Sequence, residues 1–168
     1  MKERHALGVT MIKLGDTYAT TGDRRRALDQ YRRALRLYEE LQSLMPREPK
    51  VKRNLATSHL RIGDTLGNPD FPNLGDQRGA REHYEKNLAL TRELYESASA
   101  TWEDRVAFLS ALSRIGDLER ASGDHKQALA LYPRGCIRRG TVLDRRSRTT
   151  ARTPYTSGDA GASRRHAR

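Results

Sequence analysis

The chain has 168 residues, with 36% hydrophobic and 32% charged side chains and a formal net charge of +11, so it can form one domain or a short repeat array with a thin core. It has no apolar run near the roughly 20 residues that cross a bilayer and no apolar signal-peptide core, which predicts a cytoplasmic protein without a membrane span. Its one cysteine, Cys136, excludes an internal disulfide and a cysteine-based metal cluster within one chain.

The first predicted unit covers about residues 4–45 and contains two helices. The first helix is predicted to end before the pair Gly22-Asp23, where the glycine is a helix-stop signal and the aspartate can cap the next helix. The second helix is predicted to end near Met45, and Pro49 to close the loop after it. The core-facing stripe of this second helix comprises Ala27, Tyr31, Ala34, Leu35, Tyr38 and Leu41.

The opposite face of the second helix is rich in arginine. Such a face could bind phosphate groups. Acidic residues interleaved at helical spacing, including Asp29 and Glu40, favour a solvated surface instead. The arginines are Arg24, Arg25, Arg26, Arg32, Arg33 and Arg36.

The second predicted unit covers about residues 51–98 and differs from the first by an insertion. The segment 68–72 contains two prolines and lengthens the connection between its two helices by five residues. It is therefore predicted to bulge out as a loop.

The third predicted unit covers about residues 102–132. Thr101 is its predicted N-cap, with Asp104 three residues later in an arrangement close to a capping box. Pro133 then falls where the earlier second helices continue, and a proline there breaks a helix.

A four-residue signature recurs in the three first helices, with starts of successive units 48 and 53 residues apart. The copies are Lys13-Leu14-Gly15-Asp16, Arg61-Ile62-Gly63-Asp64 and Arg114-Ile115-Gly116-Asp117. Around them, residues spaced by four, three and four positions predict the core face of each helix: Leu7, Met11, Leu14 and Tyr18; Leu55, His59, Ile62 and Leu66; Phe108, Leu112, Ile115 and Glu119. In the second helices, Ala27 and Tyr31 recur as Ala80 and Tyr84 and as Ala128 and Tyr132.

This pattern resembles a tetratricopeptide repeat, in an extended bacterial form with the K/R-L/I-G-D signature. The resemblance implies an all-α fold: an α-solenoid of about three helix-turn-helix repeats over residues 1–132. The composition of residues 133–168, arginine among serine, threonine, glycine and alanine, predicts a disordered arginine-rich tail. It also implies a non-enzymatic module for protein–protein interaction, without a cofactor, that binds a partner peptide or domain in a concave groove lined by the first helices.

The resemblance assigns the groove to residues that point from the first helices, namely Ile12, Lys13, Asp16, Leu60, Arg61, Asp64, Ser113, Arg114 and Asp117. Their charges can form a ladder that selects a peptide. They can instead form ion pairs within each helix, three residues apart, that keep the helix soluble; such pairs contribute only ~0.3–0.5 kcal/mol each, and this second interpretation is favoured. The aspartate in the signature argues against capture of a carboxyl terminus.

Sequence features of an enzyme or a metal site are weak in this chain. The five histidines, His5, His59, His83, His125 and His166, are spread singly, without a ligand partner at helical spacing. His59 falls on a core stripe and is predicted to be a packed side chain. No glycine-rich phosphate loop and no nucleophile with a nearby base is evident.

Three alternatives concern the carboxyl-terminal region. Residues 133–168 contain ten arginines, two aspartates and no lysine, a net charge of +8, which suggests weak, nonspecific binding of nucleic acid. The abrupt loss of periodicity at Pro133 also suggests a truncated or frameshifted fragment of a larger multidomain repeat protein, in which the array is a structural spacer. An uncapped last repeat that exposes Ala128, Leu129 and Tyr132 would self-associate.

Overall fold

The structure is a computed structural model, and it describes residues 2–132, all of whose regular elements are helices. The helices are α1 (Lys2–Thr20), α2 (Arg24–Leu44), α3 (Pro49–Gly67), α4 (Gln77–Glu96), α5 (Trp102–Ala121) and α6 (His125–Leu131). Each helix packs on the next along the chain, and α1 also contacts α3. The predicted all-α solenoid of three helix pairs, called units one to three below, is confirmed. The tail at 133–168, with Pro133 and Cys136, lies outside the described residues.

No helix in the described range is both long and apolar enough to cross a membrane.

The glycine–aspartate pairs form the turn inside each unit, as predicted. Gly22, Gly75 and Gly123 have φ of +86°, +82° and +90°, a region that side chains other than glycine rarely adopt. The aspartate that follows each glycine caps the second helix. For example, Asp23 Oδ1 accepts from the backbone N–H of Arg26 at 3.0 Å.

The signature glycine of each first helix lies against the ring of the tyrosine in its partner helix. A Cβ atom on Gly15 would lie 2.4 Å from the Tyr31 ring, and one on Gly63 would lie 2.6 Å from the Tyr84 ring. Such distances are far below van der Waals contact, so glycine is what allows the two helices to approach so closely. The recurring glycine is thus a packing feature of the fold.

We expect Gly63→Ala to lower the free energy of unfolding by about 1–3 kcal/mol, because the added methyl group overpacks a site beside a fully buried ring. Gly116→Ala is the matched control. Its Cβ would lie 3.0 Å from Tyr132, and that tyrosine is only half-buried, so its ring can shift. Urea denaturation followed by circular dichroism measures both; equal losses would contradict this account of the glycine.

The buried residues of α2 and α3 follow the predicted core stripes. Two residues of α1 depart from the prediction. Leu7 and Leu14, both predicted in the core, are 50% and 41% exposed. The reason is that, within the described part of the chain, no unit packs on the outer side of α1. Their equivalents in unit two, Leu55 and Ile62, are 7% and 0% exposed.

The entry to α3 differs from the prediction that Pro49 closes a loop. Pro49 is instead the first residue of α3, and Glu48 accepts from Lys50 N–H as the N-cap. Proline fits there because the first-turn N–H groups have no partner within the helix.

The start of α5 carries the predicted capping box, formed by Thr101 and Asp104. Asp104 is 2% exposed and also binds Arg53 of α3 through two hydrogen bonds of 2.6 and 2.7 Å. Arg53 lowers the pKa of the Asp104 carboxyl to about 2, because the guanidinium stabilises the charged form. One carboxylate thus caps α5 and joins units two and three.

Candidate functional site

The signature charges pair mainly between units, which corrects the predicted pairing within each helix. Arg61 Nε lies 3.1 Å from Asp16 Oδ1 of unit one, and Arg114 Nε lies 3.0 Å from Asp64 Oδ1 of unit two. Of the three pairs predicted within a helix, only Arg114–Asp117 comes within ion-pair distance, at 3.8 Å. The arginines therefore connect neighbouring units.

Each signature aspartate also accepts a hydrogen bond from the tyrosine of its own unit, and this bond fixes the direction in which the carboxylate points. Tyr31 Oη donates to Asp16 and Tyr84 Oη donates to Asp64, both at 2.8 Å. Burial first, and then the nearby carboxylate, raises the pKa of both tyrosines. The hydroxyl groups therefore stay protonated and act as donors.

The paired charges lie beside a cavity of about 620 Å³, which we call the inter-unit cavity. It is lined by side chains from four helices and from the loop between α3 and α4. These residues are Asp16, Ala19, Thr20, Arg24, Tyr31, Arg61, Asp64, Thr65, Phe71, Pro72 and Arg114. A cavity of this size accommodates a few side chains of a peptide or a small ligand.

One wall of the cavity is the inserted loop, residues 68–76, which has a defined internal structure. Asn68 is 0% exposed; its side chain donates to Asp64 Oδ1 at 2.9 Å and accepts from the backbone N–H of Asp70 at 3.0 Å. Asn73 Nδ2 donates to the Asn68 carbonyl oxygen at 2.7 Å. These bonds hold Phe71, which is 57% exposed, at the rim of the cavity.

The inserted loop is also held by the units on either side. Arg24 Nε, at the start of α2, donates to the Pro72 carbonyl oxygen at 2.8 Å. Arg120 Nη2, near the end of α5, donates to Asp70 Oδ1 at 2.6 Å. The insertion therefore bridges units one and three, whereas the sequence predicted only that it would bulge outward.

The cavity has a local excess of positive charge. Two of its three arginines, Arg61 and Arg114, are paired with aspartates. Arg24 is different: its guanidinium donates to the carbonyl oxygens of Pro72 and Gly22, and it meets no carboxylate within the described residues. Since Asp16 and Asp64 already accept hydrogen bonds from tyrosines and form ion pairs with arginines, the lining favours binding of an anion.

The predicted site residues divide into four that line the cavity and five that do not. Asp16, Arg61, Asp64 and Arg114 line it, and Asp117 lies next to Arg114. The remaining four are placed elsewhere: Ile12 is buried in the core, Leu60 packs against the core, Ser113 Oγ donates to the Leu109 carbonyl oxygen, and Lys13 is exposed.

Sequence reasoning missed Arg24, Phe71 and Pro72 as lining residues. The available signals were the two prolines of the insertion and the first arginine of α2. Neither signal indicated that the loop folds back over the groove.

A second polar cluster was also missed, because its members are 24 residues apart. His59 Nδ1 of α3 and His83 Nδ1 of α4 lie 2.9 Å apart. Burial, followed by His83 and Lys86, lowers the pKa of His59 to about 4; burial and Lys86 also lower the pKa of His83. Across residues 2–132, no group of three or more His, Cys, Asp or Glu side chains is placed to hold a metal ion.

In the comparison with protein families, the model described as tetratricopeptide repeat matches residues 7–41, which lie in α1 and α2. Searches among curated proteins and among solved structures found no match. The matched segment includes Gly15, Asp16 and Tyr31, and units two and three repeat these residues in register. Residues 7–41 are therefore similar to a tetratricopeptide repeat, and they lie within an all-α array of stacked helix pairs.

Proposed function

We propose that the chain is a protein-interaction module that binds an acidic segment of a partner protein in the inter-unit cavity. The family match supports an interaction module in general. The observation that carries the finer proposal is Arg24, a half-buried guanidinium at the cavity that has only carbonyl oxygens as described partners. A carboxylate of the partner would accept charge-assisted hydrogen bonds from the Arg24 guanidinium.

The rest of the lining suits the residues next to that carboxylate. Phe71 and Pro72 present apolar surface at the rim, on a loop that Asn68 and Asn73 hold in place. A preorganised wall lowers the entropic cost of binding. The expected ligand is a short extended segment with an aspartate or glutamate beside an apolar residue.

The proposal is tested by selecting peptides from a random display library against the full chain and measuring their affinities by fluorescence anisotropy. We expect the selected peptides to be enriched in aspartate or glutamate. We expect Arg24→Glu to weaken their binding by about tenfold or more, because it places like charges together. The matched control is Arg25→Glu, since Arg25 is exposed and does not line the cavity.

Two outcomes would contradict the proposal: selected peptides without acidic residues, or equal loss of affinity in the two variants. Arg24→Lys provides a further check, because it keeps the positive charge but loses the planar fork. It should bind with intermediate affinity. Melting curves of the three variants establish that the loss is not due to unfolding.

A further inference from the structure

The side of α1 that faces away from unit two, called the front of unit one, exposes side chains whose equivalents in unit two are buried. The position shared by Leu14, Ile62 and Ile115 is 41% exposed in unit one but 0% and 7% exposed in units two and three. Units two and three each have a unit before them, whereas no other unit precedes unit one within the described residues. A preceding unit is therefore what normally covers this position, and Leu7, at 50% exposure, also belongs to the uncovered surface.

Within residues 2–132, the rear of unit three is open in a corresponding way. At the equivalent position of the second helices, Leu28 is buried in the same core cluster as Leu66 of the following unit. Arg81 instead binds Glu119 of the following unit at 2.6 Å. Leu129 occupies this position in α6 and is 61% exposed.

The signature charges also lack a partner from a neighbouring unit at each end of the described array. In both junctions between units, the aspartate of one unit pairs with the basic residue of the next. Asp117 is the aspartate of unit three, and no following unit is described. Lys13 is the basic residue of unit one; it is exposed and has no ion pair within residues 2–132.

We propose that a second copy of this chain stacks head to tail on the first. The front face, comprising Lys13, Leu14 and Tyr18, would meet the rear face, comprising Asp117 and Leu129. In the register of the two signature ion pairs, Lys13 falls opposite Asp117. In the register of the Arg81–Glu119 pair, Tyr18 falls opposite Leu129. An ammonium meets a carboxylate and an apolar side chain meets an aromatic one, so the chain itself is the occupant that fits.

The proposed contact joins two different surfaces, so it propagates from copy to copy and does not close as a symmetric dimer. It goes beyond the proposed function and leaves the inter-unit cavity free. Because Leu14 and Leu129 are exposed, charged substitutions there block the contact without disturbing the core.

The test is sedimentation velocity of the full chain over a range of concentrations. The wild-type chain is expected to form species larger than a monomer that increase with concentration. Leu14→Glu and Leu129→Glu are each expected to remain monomeric. An equimolar mixture of the two variants is expected to form a dimer and nothing larger, because one intact front face and one intact rear face remain.

Each alternative result overturns the proposal. A wild-type chain that is monomeric at every concentration removes the contact altogether. If Leu129→Glu associates as wild type does, or if the mixture stays monomeric, the association is not head to tail. Independently of the leucines, Lys13→Glu should weaken association by about tenfold or more while Lys13→Arg retains it; equal behaviour of these two variants excludes the pairing with Asp117.

Discussion

Tyr84→Ala is expected to be among the most destabilising single substitutions in the array, lowering the free energy of unfolding by about 3–5 kcal/mol. The Tyr84 ring is 0% exposed and lies directly against Gly63, so its removal leaves a cavity that cannot collapse easily. The substitution also removes the hydroxyl donor to Asp64. Since Asp64 pairs with Arg114, the loss extends to the junction with unit three.

One further variant separates packing from hydrogen bonding at Tyr84, and a second variant serves as a control. Tyr84→Phe keeps the ring and should cost about 1.5–3 kcal/mol, because it removes a hydrogen bond to a charged group. Tyr95→Ala is the control, since Tyr95 is 42% exposed and its ring stacks on Phe108. Urea denaturation gives the ranking; a Tyr95→Ala variant as unstable as Tyr84→Ala would contradict the assignment of this tyrosine to the core.

Acidification is expected to destabilise the fold between about pH 6.5 and about pH 4, just above the range in which the Asp104 contribution is lost. The folded chain keeps the pKa of His59 near 4, below its ordinary value of 6.5. In that interval the unfolded chain binds a proton that the folded chain excludes, so stability falls as the pH falls. Each pH unit of this interval corresponds to about 1.4 kcal/mol for one group.

The first physical reason is burial of the His59 ring, which disfavours its charged form, and the second is its contact with His83. One Nδ1 atom carries the shared hydrogen and the other accepts it at 2.9 Å, so a proton on the accepting nitrogen removes the acceptor, and protonation of both rings would bring two cations together. Lys86 and Arg32 add to the repulsion, and Glu82 and Asp76 reduce it only in part.

Unfolding free energies measured at about pH 7.5 and about pH 5 test this account. His59→Phe removes the buried titrating group and should reduce the difference between the two pH values. His125→Gln, at an exposed position, should leave the difference unchanged. If His59→Phe has the same pH dependence as the wild-type chain, the histidine pair does not cause the acid sensitivity.

Helix positions and the internal packing of each unit could be predicted from the sequence because they depend on local spacing. Gly22 ends one helix through its positive φ, and Asp23 caps the next through its side-chain carboxylate. The alanine and tyrosine positions follow from helical periodicity. Exposure of Leu7 and Leu14 could not be predicted in this way, because periodicity identifies an apolar face but not whether a neighbour covers it.

The partners of the signature charges required the three-dimensional structure. Spacing showed that Arg61 could reach Asp64 on its own helix, but the hydroxyl of Tyr84 and the arginine of the next unit hold that aspartate. The pairing has a practical consequence. Reversing the charge of Arg61 or Arg114 would disturb the junctions as well as the cavity, whereas a substitution of Arg24 leaves both signature ion pairs in place and alters only the hydrogen bonds to the inserted loop and to Gly22.

The position of the inserted loop as a wall of the cavity could not be predicted from the sequence, for a different reason. Two prolines indicate a loop but not its direction. The direction is set by Asn68 and Asn73 inside the loop and by the distant residues Arg24 and Arg120. Contacts between residues about 50 positions apart leave no periodic trace in a sequence.

The double role of the signature aspartates bears on how the array unfolds. Asp64 holds Tyr84 of its own unit and Arg114 of the next, so the loss of one unit removes part of what orders its neighbour. In a linear array, this raises the interface energy relative to the stability of a single repeat. The described units are therefore expected to melt in one cooperative transition, with few molecules in which one end is folded and the other is not.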